Sequence, residues 1–245
     1  RKSISDPLYF SQKLKCTIGI ALGMAYLHSN GILHCDLKPD NIFLSGEHLD
    51  VVIVDPAPFK PILIQQSHLH LFYHYFTTNS NSGCYLAPER IAGIIRKQRK
   101  NRKHSIISNS STDVFNYSEN DDESIEKDFE HDFEYDDSDD DVVDPNSIDL
   151  KMADIFSLGC IIAFVYLNGQ HLFNIAKLHQ YASDKYDIRQ ALAPIKDKYI
   201  INIILGLISV DIEERRSTMN NLTSFFGSFF PILSQMFYEY NHSKA

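Results

Sequence analysis

The chain has 245 residues, a formal net charge of −9 at pH 7 and a hydrophobic fraction of 44%. This length allows one sizeable core or two small ones, and the hydrophobic fraction is ordinary for a globular protein. The negative charge argues against a nucleic-acid partner. The cysteines are far apart in sequence and form no C-x-x-C pair, so we expect neither a zinc site nor a disulfide framework, and a reducing compartment is the default: Cys16, Cys35, Cys84 and Cys160.

The first part of the chain predicts a helix followed by short strands. Residues 7–30 place apolar side chains near helical spacing, and Asn30-Gly31 suits a left-handed helix end. Residues 32–44 have apolar ends around a polar centre, which predicts two short strands flanking a loop. The β-branched run VVIVD at 51–55 predicts a buried strand, and residues 56–86 show no clear period and predict a long loop.

The composition changes at residues 96–149, which are basic at first and then strongly acidic. Such a segment cannot bury enough apolar surface to offset its ordering entropy, so we predict disorder. Helical patterns resume at Asp154, a plausible N-cap, and continue to the end of the chain. The apolar runs at 155–167 and 199–210 are too short to span a bilayer and predict buried helices. Strands followed by many helices indicate an α+β fold.

One polar loop and one strand end carry the residues that could do chemistry. His34, Asp36, Lys38 and Asn41 lie in the loop before the predicted strand, and Asp55 ends that strand. Phosphoryl transfer needs a carboxylate to accept a hydroxyl proton, oxygen ligands for Mg²⁺ and a cation near the transferred group. Asp36 fits the first role, Asn41 and Asp55 the second, and Lys38 the third. A lone loop aspartate is usually only solvated, but the whole string HCDLKPDN before such a strand is much more specific.

This pattern resembles the C-terminal lobe of eukaryotic protein kinases. HCDLKPDN is similar to the catalytic loop, with Cys35 in place of its arginine, and DPA at 55–57 stands where D-F-G is expected. Ala87-Pro88-Glu89 matches the A-P-E motif that ends the activation segment. DIFSLGC at 154–160 is similar to the start of the long central helix, and DIEERRST at 211–218 is similar to the late Asp-x-x-x-Arg segment.

The kinase resemblance also implies supporting contacts and a division of the chain. It implies that His34 and Asp154 support the catalytic loop, the latter by hydrogen bonds to its backbone, and that Arg215 pairs with Glu89. The expected parts are a first portion of a mainly helical kinase lobe at 1–95, the disordered insert at 96–149, and the helical remainder at 150–245. The sequence has no glycine-rich phosphate loop and no initiator methionine, so we expect a fragment without an N-terminal lobe.

Several longer segments resemble one subfamily, the protein-kinase-like regulatory subunit of the class III phosphatidylinositol 3-kinase complex, of the vacuolar-protein-sorting type. They are FKPILI, HYFTTNSNSGCYLAPERI, LNGQHLFNIAKLHQY and GSFFPILSQMFYEY. The resemblance implies ATP and Mg²⁺ as cofactors, with the lipid-kinase catalytic subunit and a Beclin-type subunit as partners. It implies a cytoplasmic protein at endosomal, vacuolar or autophagic membranes, attached through a missing N-terminus or through the complex.

Two departures from the kinase pattern leave two functions open. Cys35 removes a cation that commonly holds a loop phosphate, so activation through that contact is not expected, and we interpret Cys35 as a small buried residue. Pro56 is expected to push Asp55 towards extended backbone, and with Ala57 it predicts a segment that does not flip. The first hypothesis is an active serine/threonine protein kinase. The alternative is a weak or inactive pseudokinase scaffold that binds nucleotide structurally and regulates a partner.

Overall fold

The computed structural model describes residues 2–4, 8–46, 50–65, 68–76, 83–92 and 144–225. A small antiparallel sheet is formed by β1 (Lys2–Ser3), β2 (Ile42–Ser45) and β3 (Asp50–Ile53), in that order. The helices are α1 (Phe10–Ser29), α2 (His70–Phe76), α3 (Leu150–Tyr166), α4 (Ile175–Ala182), α5 (Ile188–Ala191) and α6 (Lys198–Leu207), and residues 212–225 form a further helix, α7. The expected α+β, mainly helical lobe is confirmed.

Helix α3 is the centre of the core. Every residue from Met152 to Tyr166 is buried, as expected for a helix that is apolar all round. Gly159 allows the end of α6 to come close, because a Cβ atom there would lie 2.7 Å from the Ile208 side chain. Helix α1 also packs against α3, so segments before and after the predicted insert share one core.

The start of α3 corrects one sequence prediction. Its N-cap is Asp149, whose side chain accepts a hydrogen bond from the backbone N–H of Met152 at 3.2 Å. Asp154 is not the N-cap, because it lies more than a turn inside the helix and is only 2% exposed. A carboxylate can remain buried there because the backbone N–H groups of His34 and Cys35, which lie outside the helix, donate hydrogen bonds to it.

Two further predictions about secondary structure were wrong. Residues 32–34 form no strand, so the polar loop is followed by β2 but not preceded by a strand. The backbone N–H groups of His34 and Cys35 donate to the Asp154 side chain instead of to a neighbouring strand. The long loop predicted at 56–86 contains α2. Its Phe72 and Phe76 lie four residues apart and are both buried, so one face of this short helix packs on the core.

The predicted insert lies almost entirely outside the described residues. Within 144–149, the structure shows a 3₁₀ helix at Pro145–Ser147 and the cap of α3. The disorder predicted for the rest of the insert and the terminal aromatic segment fall on residues that are not described. None of the helices in the described ranges has the length and apolar character needed to cross a membrane.

Candidate active site

The polar loop that begins at His34 is held by one buried carboxylate. Asp154 accepts hydrogen bonds from the backbone N–H of His34 through Oδ2 and of Cys35 through Oδ1, both at 2.8 Å. Nε2 of His28 lies 3.0 Å from the same Oδ2. Cys35 has a φ of +63°, in the left-handed region that non-glycine residues rarely adopt. The Asp154 contacts therefore hold a backbone conformation that the local sequence does not favour.

His34 connects this loop to the end of β3. Its side chain is fully buried and Nε2–H donates to the carbonyl of Val54 at 3.0 Å, while its own carbonyl accepts from the N–H of Ala57 at 2.7 Å. Burial lowers the pKa of His34, and the nearby carboxylates of Asp154 and Asp36 offset only part of that effect. A neutral His34 is consistent with its buried position and its carbonyl partner.

The structure brings together the three polar side chains of the loop. Asn41 donates from Nδ2 to the backbone carbonyl of Asp36 at 2.8 Å and lies 3.4 Å from its Oδ2. Lys38 Nζ is 3.7 Å from the same oxygen. The spacing of these residues in sequence therefore corresponds to a tight cluster around the Asp36 carboxylate. Its side chain is 9% exposed.

Asp55 does not have the backbone conformation that the sequence predicted. Its φ is +56°, in the left-handed region, although Pro56 was expected to favour extended backbone. Hydrogen bonds on both sides explain the difference: Val54 N–H donates to the carbonyl of Asn41 at 3.0 Å, and Ala57 N–H donates to the carbonyl of His34 at 2.7 Å. These contacts offset a backbone cost on the order of 1–3 kcal/mol.

The donor set fits a magnesium ion bound together with a nucleotide. Because Nδ2 of Asn41 is used by Asp36, its Oδ1 is the atom available as a ligand. Asp55 is exposed, and the pairing of Ile42 with Ile53 places Asn41 and Asp55 at the same end of β2 and β3. Two oxygen ligands suit Mg²⁺, which usually keeps waters and binds substrate phosphates for the rest of its coordination. The described ranges contain no cluster of three or more His, Cys, Asp or Glu side chains suited to a metal.

Two cations near the loop were missed by sequence reasoning. Lys60 Nζ lies 2.6 Å from Oδ2 of Asp36. Arg90 is 3% exposed and donates to three backbone carbonyls, those of Cys35 and Pro61 at 2.8 Å and of Ile62 at 3.0 Å. Lys60 lies in FKPILI and Arg90 lies near the end of HYFTTNSNSGCYLAPERI, two of the segments that carry the subfamily resemblance. Only the tertiary structure shows what these two cations contact.

Cys35 itself has the environment expected of a small buried residue. It is 4% exposed, and burial raises the pKa of its thiol. A thiol with a raised pKa forms little of the reactive thiolate. Cys35 therefore supplies no reactive group in place of the arginine expected at this position. Arg90 connects the backbone carbonyl of Cys35 to the segment after β3.

Glu89 and Arg215 form the second anchor of the site. Arg215 donates from Nη1 and Nη2 to the two carboxylate oxygens of Glu89 at 2.6 and 2.8 Å, and from Nη1 to the carbonyl of Met152 at 2.9 Å. The Arg215 side chain is fully buried. This bidentate contact ties the Ala87-Pro88-Glu89 segment to the start of α3, where Asp154 holds the polar loop.

Comparison with known proteins agrees with this geometry. A family model described as "Protein kinase domain" matches residues 9–115. This match and the helix-rich fold are consistent with a kinase-like C-terminal lobe. The chain is 25% identical over 207 residues to the "Serine/threonine-protein kinase VPS15" of Saccharomyces cerevisiae, an alignment that covers 84% of this chain and 11% of that protein.

Other proteins to which this chain is similar have related names. A "Putative serine/threonine-protein kinase VPS15" of Komagataella pastoris is 28% identical over 204 residues, which are 83% of this chain and 12% of that protein. The "Serine/threonine-protein kinase VPS15" of Arabidopsis thaliana is 28% identical over 213 residues, which are 86% of this chain and 11% of that protein. The chain thus spans about a tenth of the length of these curated relatives.

Proposed function

We propose that this lobe supplies part of a serine/threonine protein kinase site, namely the base that accepts the proton of the substrate hydroxyl and the residues that bind the metal. The observation that supports this most directly is the convergence of Lys38 and Asn41 on Asp36, with Asp55 held at the adjoining strand end. The relatives named as serine/threonine-protein kinases support the same reaction class.

In this proposal each polar side chain has a separate task. Asp36 accepts the proton of a protein serine or threonine hydroxyl, and Lys38 offsets negative charge on the transferred phosphoryl group. Asn41 and Asp55 hold Mg²⁺, which when bound with ATP offsets the charge of the phosphates. His34 and Asp154 act through the backbone, because they hold the loop that presents Asp36.

We further propose that the full-length protein is the kinase-like regulatory subunit of a class III phosphatidylinositol 3-kinase complex. Its partners would be the lipid-kinase catalytic subunit and a Beclin-type subunit, at endosomal, vacuolar or autophagic membranes. Support comes from the subfamily segments in the sequence and from the relatives named VPS15. In the proposed division, residues 1–95 and 150–245 form the kinase lobe and residues 96–149 are an insert.

A second candidate function is a pseudokinase scaffold that binds nucleotide structurally and regulates its partner. Lys60 favours this alternative, because it contacts the oxygen of Asp36 at 2.6 Å. Pro56 and Ala57 in place of the usual D-F-G residues favour it as well. The two candidates differ in one measurable property, which is transfer of the γ-phosphate to a protein hydroxyl.

The test compares full-length wild-type protein with an Asp36→Asn variant, using Mg·ATP and a generic protein acceptor. If Asp36 is the base, the variant should incorporate about 10²–10⁴-fold less phosphate. An Asp40→Asn variant is the matched control, because this aspartate lies in the same loop and is also partly buried. Equal incorporation by wild type and Asp36→Asn would reject the enzyme. Thermal stabilisation by Mg·ATP without transfer would support the scaffold.

A further inference from the structure

A cleft of about 300 Å³ opens between Gly83 and the connection from α3 to α4. Its lining includes Gly169 and His171 from that connection, the N-cap Asn174, and Lys177 from the first turn of α4. A volume of this size holds a side chain of another molecule, whereas one water molecule needs only about 10–15 Å³. None of the described residues that line the cleft is an aspartate or a glutamate. The cleft has no task in the proposed function, so its chemistry needs an explanation of its own.

The walls of the cleft are fixed by close backbone contacts. The N–H of Cys84 donates to the carbonyl of Phe173 at 2.8 Å, which joins the two segments beside the cleft, and both of these residues are buried. Gly83 lies so close to His171 that a Cβ atom there would be 2.3 Å from Nδ1 of the ring. The cleft is therefore formed before any ligand binds, and binding does not have to order its walls.

His171 lines the cleft as a neutral ring with one N–H donor. Its Nδ1 lies 2.8 Å from the hydroxyl oxygen of Tyr85, and within the described residues this hydroxyl has no other hydrogen-bond partner. Burial raises the pKa of Tyr85 well above its ordinary value, so the phenol keeps its proton and donates it to Nδ1. Burial also lowers the pKa of His171, which favours the neutral ring. The ring proton is then on Nε2, which is the donor that His171 can offer a ligand.

Lys177 supplies the cleft with positive charge. It is the one charged residue among the described residues that line the cleft, and it is exposed. Asn174 accepts from the backbone N–H of Lys177 through Oδ1 at 2.8 Å, so its Nδ2 group remains as a donor. One positive charge with two neutral donors matches a carboxylate, which carries one negative charge and accepts several hydrogen bonds. A phosphate monoester carries about 1.5–2 negative charges and would leave part of its charge unmatched here.

Tyr85 connects the cleft to the candidate active site. It lines a small cavity together with Asp36, while its hydroxyl contacts His171 of the cleft. The negative charge of Asp40, in the same polar loop as Asp36, also acts on His171 and raises its pKa against the effect of burial. An extended protein segment advances about 3.4 Å per residue. A segment with a hydroxyl at Asp36 would therefore reach the cleft within a few residues.

We propose that the cleft binds the carboxylate of an aspartate or glutamate side chain on a protein segment that lies across the lobe. Lys177 pairs with this carboxylate, while Nε2–H of His171 and the Nδ2 group of Asn174 donate to its oxygens. The binding of the carboxylate stands on the cleft alone. That the same segment is the acceptor whose hydroxyl reaches Asp36 rests on the proposed function, and it predicts that the acceptors are acidic protein segments.

Binding of two fluorescently labelled peptides to the full-length protein tests the proposal. One peptide has glutamates on both sides of a central serine, and the other has glutamine at each of those positions. Fluorescence anisotropy should show roughly tenfold tighter binding of the glutamate peptide, because its hydrogen bonds involve charged groups. Lys177→Met should remove most of this preference. The matched control is Lys185→Met, which removes an exposed lysine outside the lining of the cleft and should keep the preference.

Asn174→Asp is a sharper variant, because it changes the cleft and keeps the helix cap. Aspartate caps a helix about as well as asparagine, so α4 should remain folded. The new carboxylate replaces a donor with a negative charge and should abolish the preference for the glutamate peptide. Equal binding of both peptides by wild type would overturn the proposal, as would a preference that survives Lys177→Met and Asn174→Asp. Tighter binding of a peptide with phosphoserine in place of glutamate would also overturn it, since the ligand would then be a phosphate.

Phosphate incorporation into the same peptides tells this proposal apart from the proposed function. If both hold, wild type should phosphorylate the glutamate peptide with a lower KM than the glutamine peptide, and Lys177→Met should lose that difference. Selective binding of the glutamate peptide without any incorporation would reject the kinase activity and keep the carboxylate site. Incorporation into both peptides with equal KM and equal binding would keep the kinase activity and overturn the carboxylate site.

Discussion

The segment between Asp55 and Glu89 is attached to the lobe by two ion pairs with different surroundings. At its far end, Glu89 pairs with Arg215, whose side chain is fully buried and also bonds to the carbonyl of Met152. Near its start, Lys60 pairs with Asp36, and both side chains are partly reached by solvent, at 14% and 9%. The first pair therefore has one fully buried charge, that of Arg215, with Glu89 at 13% exposure, while neither charge of the second pair is fully buried.

The difference shows why ion pairs at similar distances need not have the same role. Removing Glu89 would leave the buried guanidinium of Arg215 without the carboxylate that it contacts at 2.6 and 2.8 Å. Removing Lys60 would leave Asp36 with Lys38 and Asn41 still near the same oxygen. A charge that retains other partners has less to lose, and so removing Lys60 should cost less stability than removing Glu89.

The largest effect should come from breaking the buried pair. Glu89→Gln should destabilise the folded protein by about 3–5 kcal/mol, because a buried charge loses its partner. Urea unfolding of the full-length protein followed by a signal from the lobe measures this loss. The matched control is Arg216→Gln, which breaks the neighbouring, partly exposed pair with Asp149 and should change stability little. A loss from Glu89→Gln no greater than that of the control would contradict the conclusion that the buried charge of Arg215 depends on Glu89.

A smaller effect should follow at the carboxylate that holds the polar loop. Asp154→Asn replaces one accepting oxygen with an NH₂ group, so one of the two N–H donors, of His34 or Cys35, loses its acceptor. The expected cost is about 1–3 kcal/mol, measured by the same unfolding experiment. Because Cys35 is held at positive φ by this contact, its alkylation should also accelerate in the variant. Unchanged stability together with unchanged labelling would show that Asp154 does not hold the loop.

The smallest effect should be a pH dependence from His34. Burial lowers its pKa in the folded state below the usual value near 6.5, so the unfolded chain binds the proton more readily. Its contribution to stability is complete above about pH 6.5 and is lost as the pH falls from there through the lower folded pKa. His171, whose pKa burial also lowers, should act in the same direction. Melting temperatures between about pH 8 and pH 5.5 test this, and His34→Gln should show a weaker dependence than wild type.

Much of the fold could be predicted because its signals are local. Helix α1 ends at Ser29, and Asn30-Gly31 follow it where the left-handed turn was expected, with Gly31 at a φ of +71°. The uninterrupted apolar run of α3 predicted a buried helix correctly. The missed helix α2 is only seven residues long and rich in histidine and tyrosine, so its two buried phenylalanines gave too weak a periodic signal.

The sequence by itself determined which residues could carry the chemistry. The spacing of Asp36, Lys38 and Asn41 within one loop, with Asp55 after the next strand, places them together whenever this loop and hairpin form. Tertiary structure decided the rest. Asp55 adopts positive φ against the preference set by Pro56, because hydrogen bonds to His34 and Asn41 hold both of its flanks. Lys60 meets Asp36 across 24 positions in sequence, and no local pattern records a contact made by that return of the chain.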